Sequence, residues 1–303
     1  MQEFKNKVAL ITGAAHGFGM AIAEEAAKRG MKLMLLDQDE ASLKQVAERL
    51  GKEAEVKSLR VDVTEESQID DAVDKTIELY GEINLLVNSA GVAVPGPIWE
   101  LPVRDWEWIL HADLMSQVYS LRKVLPIMMK QEDGGDIINV ASLAGLVTSP
   151  LMPAYYATKF AVVGMTEATA YDLQLAKQDK IHLHVFCPAF VHTNLDHSEE
   201  YRPDKYAEPG DPYYQSEAFK IGQAAAQKDI ATGMPLEDVK AEIFKCLEEN
   251  KFYILTHKGA NPLIVGRAKN VVDNVAPNLE VLASLPDVTH DPNASLFAEK
   301  KAD

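Results

Sequence analysis

Val8-Ala-Leu-Ile-Thr12 runs straight into Gly13-Ala-Ala-His-Gly17-Phe-Gly19, and this junction decides the fold. The first stretch is an unbroken apolar run, which predicts a strand buried on both faces, as in a parallel sheet. The second is a glycine-rich turn. Residues 17–29 behind it read as a helix, with Ala21, Ile22 and Ala26 on a small apolar face and Gly30 as its stop. Glycines at such a place let the main chain approach a pyrophosphate, and the helix start offers N–H groups and the positive end of a dipole. The alternative is a tight turn with no ligand. Glycine-rich turns are common, and position is what gives this one weight.

Outward from the turn the alternation repeats. Strands are predicted over 32–36, 56–61, 83–87, 136–141, 181–186 and 252–255. Helices are predicted over 40–50, 65–80, 106–130, 155–175 and 235–250, and 265–275 allows one more. Repeated strand–helix units give an α/β fold, a doubly wound parallel sheet of Rossmann type in three αβα layers. Residues 1–283 read as a single catalytic domain, and 284–303 as a weakly ordered tail. After Thr193 the pattern breaks. A substrate-loop insertion is expected at about 194–234, because a long irregular segment in a compact domain is often a lid or binding loop.

The whole-chain numbers fit one large domain. The chain has 303 residues, 47% hydrophobic, with a formal net charge of -16. That charge repels phosphate backbones and anionic lipid heads, so neither nucleic acid nor membrane is an expected partner. No apolar run reaches the roughly 18 residues of a spanning helix. The two cysteines, Cys187 and Cys246, lack redox or metal spacing and read as reduced thiols. Residues 1–7 are short and polar, leaving no room for a signal peptide, so a cytoplasmic protein is expected.

Several polar residues fall at strand ends, where such sheets bind ligands. Asp37 closes the second strand. A carboxylate there can bind the ribose 2′-hydroxyl of NAD and would repel the 2′-phosphate of NADP. Neither Gln38 nor His16 is basic, which also favours NAD. Asp62-Val63 closes the third strand and suits an adenine contact, although Asp62 alone equally suits a helix approach. Ser142 closes the strand before the helix that carries Tyr155 and Lys159. These two stand four apart and share a face. A phenol titrates near about pH 10, and a neighbouring ammonium lowers that value. The phenol then suits general acid–base work, and the Ser142 hydroxyl suits a hydrogen bond to the substrate oxygen. On spacing alone the pair is an ordinary helix-surface contact; its place after Ser142 lifts it above that.

Together the ordered motifs resemble the short-chain dehydrogenase/reductase family, from Lys7 to about Phe252. They are Thr12-Gly-x-x-x-Gly-x-Gly19, Asp37, Asp62-Val63, Asn88-Ser-Ala-Gly91, Ser142, Tyr155-x-x-x-Lys159 and Pro188-x-x-Val-x-Thr193. The resemblance implies an NAD-dependent oxidoreductase with Ser142, Tyr155 and Lys159 as its catalytic set. It implies a cofactor site of Gly13, His16, Gly17, Phe18, Gly19, Asp37, Asp62, Val63, Asn88, Ala90, Gly91, Tyr155, Lys159, Pro188, Val191 and Thr193. Lys159 would also hold the nicotinamide ribose, and Val191 and Thr193 would meet the carboxamide. Three departures stand out. Ser89 replaces an Asn, Ala189 replaces a Gly, and Asp113 stands where the family carries an Asn. That Asn supports a helix kink whose carbonyl holds a water leading protons to the lysine. Asp113 is therefore a fourth candidate catalytic-site residue: it could keep the kink, or bind Lys159 tightly and disturb the relay.

Other features are set aside or left open. His182 and His184 share a strand face but find no helpful carboxylate spacing, so no metal is expected. His192 and His197 flank the substrate loop and read as loop surface or as substrate contacts. Tyr201, Tyr206, Tyr213 and Tyr214 suggest closure over a bulky or aromatic alcohol or ketone, with Leu143, Val94 and Leu146 as apolar wall. Arg202-Pro-x-Lys-Tyr206 faintly resembles bacterial dehydrogenases of aryl-ether benzylic alcohols. An epimerase or enoyl reductase on the same fold, or an NAD-binding sensor with little turnover, stays open. Apolar stripes on 106–130 and 155–175 point to a homodimer or homotetramer.

Overall fold

A strand can be buried on both faces only where helices cover both sides of its sheet. The computed structural model describes residues 3–284, and in it β1 (Val8–Thr12) has all five residues buried. The other strands are β2 (Lys32–Asp37), β3 (Val56–Arg60), β4 (Leu85–Asn88), β5 (Gly135–Val140), β6 (Ile181–Phe186) and β7 (Tyr253–Ile254). They form one sheet in the order β3-β2-β1-β4-β5-β6-β7, with every pairing parallel.

The period of two is visible in the packing. Ala9, Ile11, Leu33 and Leu35 face one side with α1 (Gly17–Lys28), α2 (Glu40–Leu50) and α8 (Leu236–Glu248), through Ile22, Leu43 and Phe244. Leu10, Met34, Leu36 and Leu86 face the other, against α3 (Glu66–Tyr80), α5 (Ser116–Met128) and α6 (Pro153–Leu175), through Val73, Val124 and Leu173. This is the expected three-layer Rossmann architecture. The chain runs outward from β1 to β3, then returns to β4 on the other side of β1, and this reversal leaves a crevice at the carboxyl ends of the strands.

Three segments depart from the sequence expectation. The helix expected over 106–130 begins earlier, as α4 (Val103–Ile109), and passes into α5 through a π turn at Leu110–Met115. The irregular stretch after Thr193 is built of short 3-10 turns at Leu195–Tyr201, Asp204–Tyr206 and Pro212–Gln215, followed by α7 (Glu217–Ala231). α7 escaped the periodicity reading because its inward face is mostly small: Gly222 is buried against Pro95, and Ala225 and Ala226 face the crevice. Past β7, α9 (Asn261–Val272) buries no residue, and α10 (Leu279–Ser284) follows it. The expected tail beyond residue 284 lies outside the described residues. Cys187 and Cys246 are free and buried.

Candidate active site

The crevice is a cleft of about 1360 Å³. Its first arm is main chain. Gly13 has φ +65, and a Cβ there would stand 2.8 Å from the Ala90 nitrogen. A Cβ on Gly19 would stand 2.1 Å from the Gly13 carbonyl oxygen, so α1 can start against the turn only with glycine at both positions. The Thr12 hydroxyl oxygen accepts N–H bonds from Ser89 (3.0 Å) and Ala90 (3.2 Å), which binds the β4 loop to the same turn. Sequence reading placed Thr12 in the motif without giving it this task.

Asp37 lines the arm from the end of β2. Its Oδ2 accepts the Ala15 N–H at 2.9 Å and its Oδ1 accepts the Asp39 N–H at 3.0 Å. Burial pushes its pKa up, and these two N–H groups pull it partly back. Asp62 caps its own turn, Oδ1 accepting from the Thr64 N–H (2.9 Å) and hydroxyl (2.7 Å). His16, Gly17, Phe18, Asp62, Val63, Ala90, Gly91, Pro188, Val191 and Thr193 line the cleft as well. Two expected cofactor residues do not. Gly19 packs beneath the turn, and the Asn88 side chain is buried, donating to Asn139 Oδ1 at 2.9 Å across β4 and β5.

The catalytic candidates converge at the junction of the two arms. Ser142 stands two residues past β5 and caps the 3-10 turn Leu143–Gly145; its hydroxyl oxygen accepts the Ala144 N–H at 3.1 Å while donating to the Pro188 carbonyl at 3.3 Å. Pro153 starts α6, which places Tyr155 in its first turn and Lys159 one turn further, 5.2 Å from the Tyr155 ring centre. Burial raises the Tyr155 pKa. Lys159 and the Ser142 hydroxyl lower it and Asp113 raises it, for a net value above the ordinary phenol. The ammonium lowers it as the spacing leads one to expect, while burial outweighs that pull in the chain by itself. Tyr156 also faces the cleft, but its hydroxyl is hydrogen-bonded to Ser149.

Asp113 lies behind this set, fully buried in the π turn and outside the cleft lining. Its Oδ2 stands 3.0 Å from Lys159 Nζ, and Oδ1 accepts the Val92 N–H at 2.8 Å. Burial pushes Asp113 up against the lowering pull of Lys159. Burial pushes Lys159 down, but Asp113 and Tyr155 outweigh it and leave the ammonium raised.

The second arm is mostly apolar, lined by Leu143, Val147, Leu151, Met152, Phe190, Ile230, Leu263 and Leu282 among others. Its loop wall differs from the aromatic lid expected. Only Tyr201 of the four tyrosines faces the cleft. Tyr206 and Tyr213 are buried with Trp108, and Tyr214 packs against them. Val94 and Leu146 pack into side clusters instead of the wall. Arg202 pairs with the buried Asp105 of α4, which also accepts the Tyr214 hydroxyl at 2.9 Å, and lies 4.2 Å over the Trp108 ring. Lys205 pairs with Glu65. These basic residues therefore anchor the loop to the body. Tyr201 reaches the first arm, its hydroxyl 3.3 Å from His16 Nε2 and its carbonyl accepting from Gln38 Nε2 at 2.7 Å. His192 Nε2 donates to the Ala231 carbonyl (2.9 Å) and His197 pairs with Glu200, both outside the cleft lining. Asp136 does reach the strand histidines, 2.9 Å from His184 Nε2, because β5 and β6 pair in register; yet no metal-binding group occurs among the described residues.

A family model described as short chain dehydrogenase matches residues 7–204. A CLA biosynthesis dehydrogenase/reductase of Lactiplantibacillus plantarum is 56% identical over 283 residues, covering 93% of this chain and 99% of that protein. A meso-2,3-butanediol dehydrogenase of Serratia marcescens is 31% identical, covering 76% and 86%. A short chain dehydrogenase/reductase of Burkholderia phymatum, solved in complex with NAD, superposes with a TM-score of 0.88 at 35% identity, covering 92% of this chain and 98% of that one. The family and this neighbour support NAD as the cofactor of the site. With the glycine turn, the parallel sheet and the Ser–Tyr–Lys convergence in place, the chain belongs to the short-chain dehydrogenase/reductase family of oxidoreductases.

Proposed function

We propose that this chain interconverts a secondary alcohol and a ketone with NAD(H), using Tyr155 as general acid–base. The observation that carries the reading is the convergence of Ser142, Tyr155 and Lys159 where the glycine-lined arm meets the apolar arm. The first arm fits NAD: its turn has no side chain to exclude a pyrophosphate, and Asp37 stands where a ribose 2′-hydroxyl would be recognised. When bound, NAD accepts the hydride in oxidation and NADH returns it in reduction. The chain's own residues handle the proton and the oxygen. Tyr155 takes the alcohol proton in oxidation and returns it in reduction. Ser142 donates a hydrogen bond to the substrate oxygen. Lys159 holds positive charge beside the phenol and would hold the nicotinamide ribose. The loop after β4 at residues 89–91 would border the adenosine ribose, and Val191 and Thr193 would meet the carboxamide.

The cleft exceeds the roughly 300–1,000 Å³ of an ordinary ligand pocket, which leaves an apolar arm beyond the cofactor for a bulky substrate. The Lactiplantibacillus relative is a dehydrogenase/reductase of CLA biosynthesis, and its likeness supports a dehydrogenase/reductase role for this chain. A second reading, an NAD-binding sensor with little turnover, draws on the raised Tyr155 and the negative charge behind it.

We read residues 1–283 as one catalytic domain whose insertion at about 194–234 forms the substrate wall, and the protein as cytoplasmic. Among the described residues no helix is long and apolar enough to cross a membrane. A homodimer or homotetramer is supported by the outward face of α6, where Ala157, Gly164, Tyr171 and Leu175 are exposed; light scattering should show the oligomer. A panel of secondary alcohols and ketones, read by NADH absorbance with NAD and NADP compared, tests the main reading. Turnover with NAD is expected, and a strong NADP preference would refute the role given to Asp37.

A further inference from the structure

Behind the cleft floor lies a buried polar cluster that meets the cleft at Lys159. Asp113 and Lys159 have side-chain exposures of 0% and 4% there. Burying either charge alone is costly, and direct pairing offsets that cost. Asp113 Oδ2 stands 3.0 Å from Lys159 Nζ, while the Val92 N–H holds Oδ1 at 2.8 Å. The carboxylate is thus fixed from two sides.

The main-chain carbonyl of Asp113 is also engaged. It accepts from Gln117 Nε2 at 3.0 Å, and the same nitrogen donates to the Val140 carbonyl at 3.2 Å. Two acceptors on one nitrogen settle which end of the amide faces them. Lys159 Nζ reaches that same Val140 carbonyl at 3.4 Å. Gly91 covers another side: a Cβ built there would lie 3.4 Å from both Lys159 Nζ and Asp113 Oδ1. Gln117 was not singled out in the sequence, although its place four residues after Asp113 puts both on one helix face.

We infer that Asp113 is a positioning residue that fixes Lys159 as a permanent ammonium, so that the proton taken by Tyr155 leaves without passing through Lys159. The inference rests on Tyr155 as the general acid–base. In oxidation the alcohol O–H breaks and the Tyr155 O–H forms. The carbinol C–H breaks with its electron pair, which NAD takes up as hydride, and the C–O bond becomes the ketone. The phenol then releases its proton into the cleft. Lys159 keeps all its protons throughout.

The groups facing Lys159 are Asp113 from the π turn, Tyr155 from its own helix and Cys187 from the end of β6. The Cys187 thiol is pushed up to about 12 by burial and adds no charge in the working range. Lys159, Asp113, Ser142 and Tyr156 face Tyr155. Oxidation needs the phenolate, so its rate rises with pH through the Tyr155 ionisation. Asp113 moves that rise upward in pH and holds Lys159 charged beyond it.

The test is the pH profile of kcat/KM for alcohol oxidation by the full chain with NAD. The wild type should show one rising limb and then a plateau. Asp113→Asn keeps an acceptor for the Val92 N–H and removes the charge. Its rising limb should move to lower pH, and a falling limb should appear at alkaline pH as Lys159 loses its proton, at about tenfold per pH unit. An unmoved single limb in D113N would overturn the inference. So would an alkaline fall in the wild type, which decides the matter even where the variant does not fold. Loss of activity in Tyr155→Phe beside an unmoved D113N profile refutes this inference alone. Activity kept in Tyr155→Phe refutes the function reading beneath it.

Discussion

The two arms of the cleft are walled in different ways. The cofactor arm is made by main chain that sits close together because two glycines allow it: Gly13 against Ala90 and Gly19 against Gly13. Its contacts come from strand ends whose register the sheet sets. The apolar arm, to which we assign the substrate, is made by side chains from segments far apart in sequence. Its loop is held down by Arg202 on Asp105, Tyr214 on Asp105, Lys205 on Glu65 and Tyr201 on His16. The difference teaches that one wall tolerates no added atom, while the other depends on a few buried polar pairs and can vary its lining freely.

The largest effect should come from those pairs. Asp105 is fully buried, and Asp105→Ala removes the buried partner of the Arg202 guanidinium, leaves it only the half-exposed Glu199, and strips the Tyr214 hydroxyl of its acceptor. A loss of about 3–5 kcal/mol is expected for breaking such a pair. Thermal unfolding measures it, and a loss within the range of a surface substitution would show that the loop is not anchored there. Gly19→Val comes next. Its Cβ would meet the Gly13 carbonyl, a rigid backbone atom, so about 1–3 kcal/mol of overpacking strain is expected together with weaker NAD binding. Isothermal titration calorimetry checks this, and unchanged affinity would mean that the cofactor wall has slack. The smallest effect belongs to Asp37→Ser, which should narrow the preference for NAD over NADP by about tenfold, or about 1.4 kcal/mol, in the ratio of kcat/KM values. An unchanged ratio would move discrimination to another residue.

The same contrast explains what the sequence disclosed. The cofactor arm was legible because its parts are local: an apolar run, a glycine turn and an acid at a strand end lie within residues 8–37 and carry their own geometry. Tyr155 and Lys159 were legible through helical spacing and their place after Ser142. The substrate arm was not, because its lining depends on long-range pairing. Nothing near residues 201–214 says that Tyr206 and Tyr213 turn inward to Trp108, or that Arg202 spends its charge on Asp105. α7 hid behind small residues that give little hydrophobic signal, and the π turn at Leu110–Met115 has no spacing signature of its own. The lowering pull of Lys159 on Tyr155 is legible from spacing, whereas burial, the larger influence, exists only once the chain is folded.

The central claim is that Tyr155 exchanges the proton of the reacting alcohol. The most direct test compares wild type and Tyr155→Phe for alcohol-dependent NADH formation at saturating NAD, with NAD affinity measured alongside. The account predicts that kcat falls by about 10²–10⁴-fold, the usual share of general acid–base catalysis, while NAD affinity changes little. A phenylalanine variant that forms NADH at the wild-type rate would contradict it.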